Sequence, residues 1–177
     1  MYITKKVDIS KEYADELLCR DLATDLVGIM TEKNFTIASA ESCTGGLIGG
    51  RITAVSGSSA VYLGGIITYT NDVKINVLGI DASAILQHTE VSGIVAYQMA
   101  ERVKEKLCAD IGVSATGFAG PTGGNENDPV GTVYVGICLP MESFVHRLSF
   151  YIGVTREVVR DATVAYILQQ IVLLSSK

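Results

Sequence analysis

The chain has 177 residues, of which 48% are hydrophobic and 19% are charged, and its formal net charge is -5 at neutral pH. This composition excludes a disordered chain, and no apolar run approaches the roughly 20 residues that a membrane span requires. The negative charge also argues against nucleic acid as a partner, because non-specific binding depends on Lys and Arg neutralising phosphates. We therefore expect a single soluble domain over residues 1–177, with residues 1–10 as an N-terminal extension.

The N-terminus and the cysteines indicate a cytoplasmic protein. Residues 1–13 contain lysines without an apolar segment or a small-residue cleavage site behind them, so no secretory signal is predicted. Cys19, Cys43, Cys108 and Cys138 form no C-x-x-C pair, which disfavours a zinc site or a thioredoxin-like site. We expect no metal and no cofactor, and we expect the cysteines to be structural.

The first half of the chain predicts helices that alternate with short strands. Apolar residues on one stripe predict a helix that Ser10 caps and Asn34 ends. A buried strand is expected over 35–40, and a glycine turn then leads into a helix over 47–55. The β-branched and aromatic residues of 60–70 predict a further strand, after which Asn71 is expected to cap a short helix over 72–80.

The second half continues the alternation and adds one hairpin. We predict helices over 81–89 and 93–109, the second capped by Ser92, and a buried strand over 111–120. Residues 130–140 and 143–151 are expected to pair as antiparallel strands, and the last helix is expected over 156–176. This order predicts an α/β fold, a three-layer α/β/α sandwich with a mixed, mostly parallel sheet.

The turn at residues 41–46, ESCTGG, has the features of a small-ligand site. It joins a strand end to a helix start, it supplies the hydroxyls of Ser42 and Thr44, and its glycines, Gly45 and Gly46, would let a ligand approach the backbone. The same glycines would also be needed if the segment were only a tight turn. The spacing fits neither the dinucleotide fingerprint nor the Walker motif, so neither NAD nor ATP is predicted.

A second polar segment runs from Ser56 to Lys74. It begins with a serine-rich turn and ends with Tyr69 and Lys74, with a mostly apolar stretch between. One interpretation is a core strand with polar ends. The other is that Ser59, Tyr69 and Lys74 converge on one substrate.

Four ordered motifs, at residues 40–46, 56–74, 115–124 and 129–133, resemble the C-terminal domain of the CinA (competence and damage-inducible) family. The resemblance runs from about Lys11 to the end of the chain. Active members of that family are nicotinamide mononucleotide deamidases, which hydrolyse the carboxamide to the carboxylate and release ammonia. Larger members carry an additional N-terminal domain, and this chain resembles the stand-alone form.

The resemblance implies a serine and lysine mechanism, with Ser59 and Lys74 as the pair and Tyr69 as a residue that orients or relays the proton. It also implies a pyridine mononucleotide as the substrate. We expect the substrate-binding residues to be Ser42, Thr44, Gly45, Gly46, Ser58, Thr116, Gly117 and Arg156. Arg156 and the CTGG turn are the candidates for the 5'-phosphate.

Residue chemistry is consistent with a Ser–Lys pair. A lysine acts as a base only if its pKa falls well below 10.4, and the first turn of a helix disfavours an ammonium. A straight strand from Ser59 to Tyr69, however, would span about 33 Å. We therefore expect a break at Gly64 and Gly65 that folds Ser59 back. Alternatively, Ser59 would meet Lys74 of a second subunit, in a homo-oligomer that is a dimer or larger.

Three functional alternatives remain at this point. The first is the deamidase. The second is a catalytically silent module of the same fold that binds a mononucleotide or a protein partner. The third is an amidase that acts on another pyridine or a small carboxamide. Cys43, which lies beside the ligand-type turn, is expected to be structural because no base accompanies it.

Overall fold

The computed structural model describes residues 2–175, so Met1 of the predicted extension and Ser176 of the predicted last helix, like Lys177, lie outside the described residues. The strands are β1 (Ile3–Ile9), β2 (Ile37–Glu41), β3 (Tyr62–Ile67), β4 (Ile111–Gly117), β5 (Thr132–Cys138) and β6 (Ser143–Phe150). The helices are α1 (Lys11–Leu18), α2 (Leu22–Lys33), α3 (Leu47–Thr53), α4 (Asn71–Val73), α5 (Ala82–His88), α6 (Gly93–Lys106) and α7 (Arg156–Ser175). A 3-10 turn covers Ser58–Ala60 and a π-helical turn covers Lys74–Leu78.

The strands form one six-stranded sheet in the order β1-β6-β5-β4-β2-β3. The pairs β1/β6, β2/β3 and β2/β4 are parallel, and β4/β5 and β5/β6 are antiparallel. The predicted α/β class and the mixed, mostly parallel sheet are confirmed. Residues 3–9, within the expected N-terminal extension, form an edge strand of this sheet.

Helices cover both faces of the sheet. Ala38 and Ala40 of β2 pack with apolar residues of α5 and α6 in one cluster. Ile37, on the opposite side of the same strand, belongs to the larger cluster that includes residues of α1, α2, α3 and α7. The alternation along β2 therefore produces the predicted three layers. Within residues 2–175, no helix is both long enough and apolar enough to cross a membrane.

Helix α6 contacts the sheet directly at two strand residues that lack a side chain. A Cβ atom on Gly112 of β4 would lie 2.0 Å from the carbonyl oxygen of Ala100, and one on Gly136 of β5 would lie 2.3 Å from that of Ala96. Either contact would force the helix away from the sheet. These glycines thus set the depth at which α6 packs.

Three local expectations are wrong. The helix predicted from Ser10 to Asn34 is two helices, because the Asp21 side chain accepts a hydrogen bond from Thr24 N–H and starts α2 anew. Thr70, rather than Asn71, caps the following helix by accepting from Val73 N–H. Gly64 and Gly65 do not break the strand, because both pair with β2 inside β3.

Candidate functional site

The site lies at the carboxyl ends of three neighbouring parallel strands. Glu41, the last residue of β2, is paired with Ile67 of β3 and with Ala115 of β4. The ladder extends one residue further, since Ser42 N–H donates to Ala115 O at 2.9 Å and Thr68 N–H donates to Glu41 O at 2.7 Å. Ser42 and Thr68 are therefore neighbours at the sheet edge where α/β proteins bind ligands.

Lys74 reaches this edge from the helical segment after β3. Its side chain is almost completely buried, with 1% of its surface exposed. The Nζ atom donates to the Thr68 carbonyl oxygen at 2.8 Å and lies 3.2 Å from Ser42 Oγ. Ser42 is also buried, with 9% of its surface exposed. A buried amine thus contacts the hydroxyl of a serine that is itself largely buried.

Burial has the largest effect on the pKa of the Lys74 amine. It lowers the pKa of Lys74, while the negative charges of Glu90 and of a Cys43 thiolate would raise it. A lysine with a lowered pKa has a larger neutral fraction at a given pH. Only the neutral amine accepts a proton from a hydroxyl, so burial prepares Lys74 to act as a base.

The structure does not bring Ser59 to Lys74 within the chain. Ser59 is exposed on the 3-10 turn before β3, whereas Lys74 follows the other end of that strand. The six residues of β3 span about 17 Å. Because β3 continues through Gly64 and Gly65, the turn does not fold back, and the expected Ser59–Lys74 pair within one subunit is wrong.

Ser58 shares the location of Ser59. Its backbone N–H donates to Val55 O, and its side chain is buried in the same turn at the N-terminal end of β3. Within one chain Ser58 therefore lies away from Ser42 and Lys74, and its expected role in substrate binding stays a prediction. The hydroxyl that the sequence assigned to substrate binding, Ser42, is the one that contacts the amine.

Glu41 occupies the start of helix α3, where a phosphate was expected. Its carboxylate, 1% exposed, accepts hydrogen bonds from the N–H groups of Gly46, Ile48 and Gly49 at 2.9–3.0 Å. Ser39 Oγ also donates to it at 3.2 Å. These contacts satisfy the N–H groups of Gly46, Ile48 and Gly49, so these three groups are not free to hold a phosphate. The expected role of the rest of the CTGG turn in phosphate binding stays a prediction.

The remaining groups of the CTGG turn are also arranged by contacts within the chain. Gly45 N–H donates to Ser42 O at 3.1 Å, and both glycines have positive φ angles. The Thr44 hydroxyl is fully buried and has no hydrogen-bond partner among the described residues. Across the same described part, the backbone N–H groups of Cys43 and Thr44 are without a partner as well. These two amides are the free donors nearest in sequence to Ser42.

Two arginines of α7 flank this turn. Arg156 donates to Gly120 O at 2.9 Å, and its second nitrogen lies 3.4 Å from the hydroxyl of Tyr69. Arg160 donates to the carbonyl oxygens of Cys43 at 3.1 Å and Thr44 at 3.0 Å. Arg156 and Tyr69 are exposed, and they form a polar rim beside the buried Ser42 and Lys74.

Thr116 and Gly117 of β4 have structural contacts. The Thr116 hydroxyl is fully buried and donates to the carbonyl oxygen of Glu90 at 2.8 Å, which fixes the connection before α6. A Cβ atom on Gly117 would lie 2.6 Å from Thr132 O, so a glycine is required there for strand packing. Their expected role in substrate binding stays a prediction.

Cys43 is buried, and burial raises the pKa of its thiol to about 12, although Lys74, Arg156 and Arg160 act in the opposite direction. A thiol with such a pKa is protonated at neutral pH and is a poor nucleophile. Two of the groups that act in the opposite direction, Arg156 and Arg160, are guanidinium groups, so positive charge lies near this turn. Elsewhere the chain has a net negative charge.

Comparison with known proteins identifies the family. Residues 19–174 match the CinA C-terminal domain, and the chain belongs to that family. A CinA-like protein from Salinibacter ruber is 55% identical over 118 residues, which cover 67% of this chain and 29% of that protein. A putative competence-damage inducible protein from Halothermothrix orenii is 48% identical over 130 residues, covering 73% and 32%. The chain thus spans about a third of the length of the curated relatives that it matches.

Solved structures agree with this assignment over nearly the whole fold. The competence/damage inducible protein CihA from Agrobacterium tumefaciens has a TM-score of 0.84 and 34% identity, with 92% of this chain and 96% of that chain covered. A competence-damaged protein (CinA) superfamily protein from Escherichia coli has a TM-score of 0.82 and 28% identity, with 88% of each chain covered. The predicted family is therefore confirmed.

Sequence reasoning missed Glu41 and Arg160 as parts of the site. Neither belongs to a recognisable local motif: Glu41 is at the end of a strand and Arg160 is within a long helix. Glu41 could have been identified from its position before a glycine turn and a helix start, because the unpaired N–H groups there stabilise a carboxylate. Nothing in the local pattern indicated Arg160.

Proposed function

We propose that this protein is an amidohydrolase that converts nicotinamide mononucleotide to nicotinic acid mononucleotide and ammonia, with Ser42 as the nucleophile and Lys74 as the base. The observation that carries the proposal is the 3.2 Å contact between the buried Lys74 amine and the Ser42 hydroxyl. An amide is a weak electrophile, so its hydrolysis needs an activated nucleophile and a base within hydrogen-bond reach.

The reaction divides into two proton-balanced steps. Neutral Lys74 takes the hydroxyl proton as Ser42 Oγ bonds to the carboxamide carbon, and the carbonyl oxygen becomes an oxyanion. The C–N bond then breaks as the departing nitrogen receives the proton from Lys74, and ammonia leaves. Water attacks the resulting ester, with Lys74 again taking and returning a proton, so that the carboxylate is released and Ser42 is regenerated.

The oxyanion requires donors, and the Cys43 and Thr44 backbone N–H groups are suited to this role. They are the first amides after the nucleophile and have no other partner among the described residues. Backbone donors fixed before the reaction stabilise developing charge without reorganisation. Glu41 contributes indirectly, since it holds α3 and the turn through three N–H groups.

The phosphate of the mononucleotide would bind Arg156, the exposed guanidinium at the rim. Its partners are a carbonyl oxygen and a phenol rather than a carboxylate. An anionic ligand would therefore meet a cation that is not already neutralised by an acid. Tyr69, adjacent to Arg156, would orient the bound nucleotide at the same rim.

The test is ammonia release from nicotinamide mononucleotide by the purified protein, with Ser42→Ala as the matched inactive variant. We expect turnover by the wild type, formation of nicotinic acid mononucleotide, and loss of activity in the variant. Binding of the mononucleotide without ammonia release would contradict the proposal and identify a silent binding module. Faster hydrolysis of a carboxamide lacking the phosphate would contradict the assigned substrate.

A further inference from the structure

Arg160 makes two contacts with the backbone of the CTGG turn. Its Nε atom donates to the Cys43 carbonyl oxygen at 3.1 Å, and Nη2 donates to the Thr44 carbonyl oxygen at 3.0 Å. One guanidinium therefore holds two successive peptide groups immediately after Ser42. The adjacent acid, Asp161, is paired instead with Arg51 at 3.3 Å. Within residues 2–175, no salt bridge involves Arg160.

Holding these carbonyls also fixes the amides on the other side of the same peptide groups. In a trans peptide the C=O of one residue and the N–H of the next point in opposite directions. The Cys43 carbonyl faces Arg160, so the Thr44 N–H faces away from it. The Thr44 carbonyl also faces Arg160, and the Gly45 N–H accordingly turns inward and donates to Ser42 O at 3.1 Å.

The local sequence is adapted to this arrangement. Gly45 has a φ of +61°, a conformation that favours glycine, and a Cβ atom there would lie in ordinary van der Waals contact with Arg160 Nη2, at 3.4 Å. The rigid planar fork of a guanidinium can span two acceptors, whereas a lysine offers a single point charge. Arg160 therefore supplies geometry as well as charge.

We propose that Arg160 is a positioning residue for the deamidation: by holding the Cys43 and Thr44 carbonyls, it orients the Thr44 N–H as the donor for the oxyanion. This inference rests on the proposed function. It separates the roles of the two α7 arginines, because Arg156 binds the substrate phosphate and Arg160 acts through the backbone of the nucleophile turn. Arg160 then affects the chemical step rather than the affinity for the substrate.

The kinetic test compares Arg160→Lys with Arg51→Lys, a control on α3 outside the proposed machinery. We expect Arg160→Lys to lower kcat about 10- to 100-fold, a part of the effect of removing an oxyanion donor, with little change in KM. The loss should be equal for the mononucleotide and the riboside. Arg51→Lys should keep wild-type kcat. A selective rise in KM for the mononucleotide would instead make Arg160 a phosphate ligand and overturn the inference.

A second measurement tests the same contacts without catalysis. Amide hydrogen exchange of the substrate-free protein reports whether the Gly45 N–H remains bonded to Ser42 O. We expect faster exchange at Gly45 in Arg160→Lys and unchanged exchange in Arg51→Lys, with equal global stability by urea unfolding as the check on folding. An exchange rate at Gly45 of Arg160→Lys equal to that of the wild type would overturn the positioning role, whether or not the protein is a deamidase. Absence of deamidase activity in the wild type would count separately against the proposed function.

Discussion

Lys74 combines burial with polar contacts that orient its amine. Two oxygens, the Thr68 carbonyl and the Ser42 hydroxyl, lie within hydrogen-bond reach of Nζ. Burial without a carboxylate in hydrogen-bond contact disfavours the ammonium, which lowers the pKa of this lysine. The burial that would suit Lys74 to its proposed role as a base therefore also destabilises the folded protein at neutral pH.

This linkage predicts a pH dependence of stability. Between the lowered pKa of folded Lys74 and the value near 10.4 in the unfolded chain, the unfolded state binds more protons. The free energy of unfolding contributed by this residue should therefore rise with pH, by up to about 1.4 kcal/mol per pH unit in that window. Urea unfolding of the wild type and Lys74→Met from pH 7 to 10.5 measures it.

The wild type should gain stability relative to Lys74→Met as the pH increases. Lys33→Met, which removes an exposed lysine of α2, is the control for loss of surface charge. A stability difference between the wild type and Lys74→Met that stays constant across this range would contradict a lowered pKa at Lys74.

Substitution of Ser59 is expected to have little effect on activity. Because it is exposed on the turn before β3, Ser59→Ala should change kcat by less than about threefold, in contrast to Ser42→Ala. Steady-state ammonia release by both variants checks this. A large loss in Ser59→Ala would point to its action in the site of a second subunit, and sedimentation of the wild type would then have to reveal the homo-oligomer, which itself stays a prediction.

Arg156 is predicted to recognise phosphate. Its guanidinium is exposed beside Tyr69 and makes no salt bridge within residues 2–175. Arg156→Ala should raise KM for the mononucleotide about 10- to 150-fold, the range for loss of a charge-assisted contact, and should change KM for the riboside far less. Equal increases for the two substrates would show that Arg156 supports the fold of the rim through Gly120 instead.

At the scale of elements, helix α3 depends on a carboxylate from the preceding strand. Glu41 accepts from Gly46, Ile48 and Gly49, and the turn that carries Ser42 lies between the acceptor and these donors. This contact ends β2, starts α3 and fixes the intervening turn. A charged acceptor at a helix start is favoured by the helix dipole, which offsets part of the cost of burial.

Glu41→Ala should therefore destabilise the protein by about 3 kcal/mol, since one buried and two partly buried N–H donors lose their acceptor. Glu32→Ala, at an exposed position of α2, should change stability by less than about 0.5 kcal/mol. Urea unfolding of the two variants provides the comparison. Similar stability of Glu41→Ala and Glu32→Ala would indicate that water replaces the carboxylate and that Glu41 does not hold the turn.

Helices and strands with a clear hydrophobic periodicity could be predicted from the sequence. The boundaries between consecutive elements could not. The apolar stripe of α6 and the β-branched hairpin of β5 and β6 are evident locally, and both form as predicted. The single helix predicted before Asn34 failed because the Asp21 cap outweighed a continuous apolar stripe. Caps are decided by one side chain, so a periodic pattern does not reveal them.

The sequence predicted several residues of the candidate site but not which serine contacts the lysine. Ser42 and Lys74 were both identified, but Ser59 was paired with the lysine because the two belong to one motif. The parallel register of β2 and β3 decides otherwise, since it aligns Glu41 with Ile67 and leaves the Ser59 turn at the far edge. Register is a property of the sheet, so local sequence did not determine which serine meets the amine.

At the scale of the whole molecule, the site is assembled from distant parts of the chain. The carboxyl ends of β2 and β3 bring Ser42 and Thr68 together, and the segment after β3 returns Lys74 to them. Helix α7, the last element, then adds Arg160 from the other side of the turn. The complete fold is therefore needed before Ser42, Lys74 and the free backbone N–H groups of the turn, the groups of the proposed mechanism, have their relative positions.

The central claim is that Ser42 and Lys74 act as one unit, and a double-mutant comparison of ammonia release from nicotinamide mononucleotide tests it most directly. We predict that Ser42→Ala and Lys74→Met each lower kcat by on the order of 10³-fold or more, and that the double variant loses little beyond the worse single one. Urea unfolding of all three variants establishes that they are folded. Additive losses in the double variant, or turnover by folded Ser42→Ala close to that of the wild type, would contradict the account.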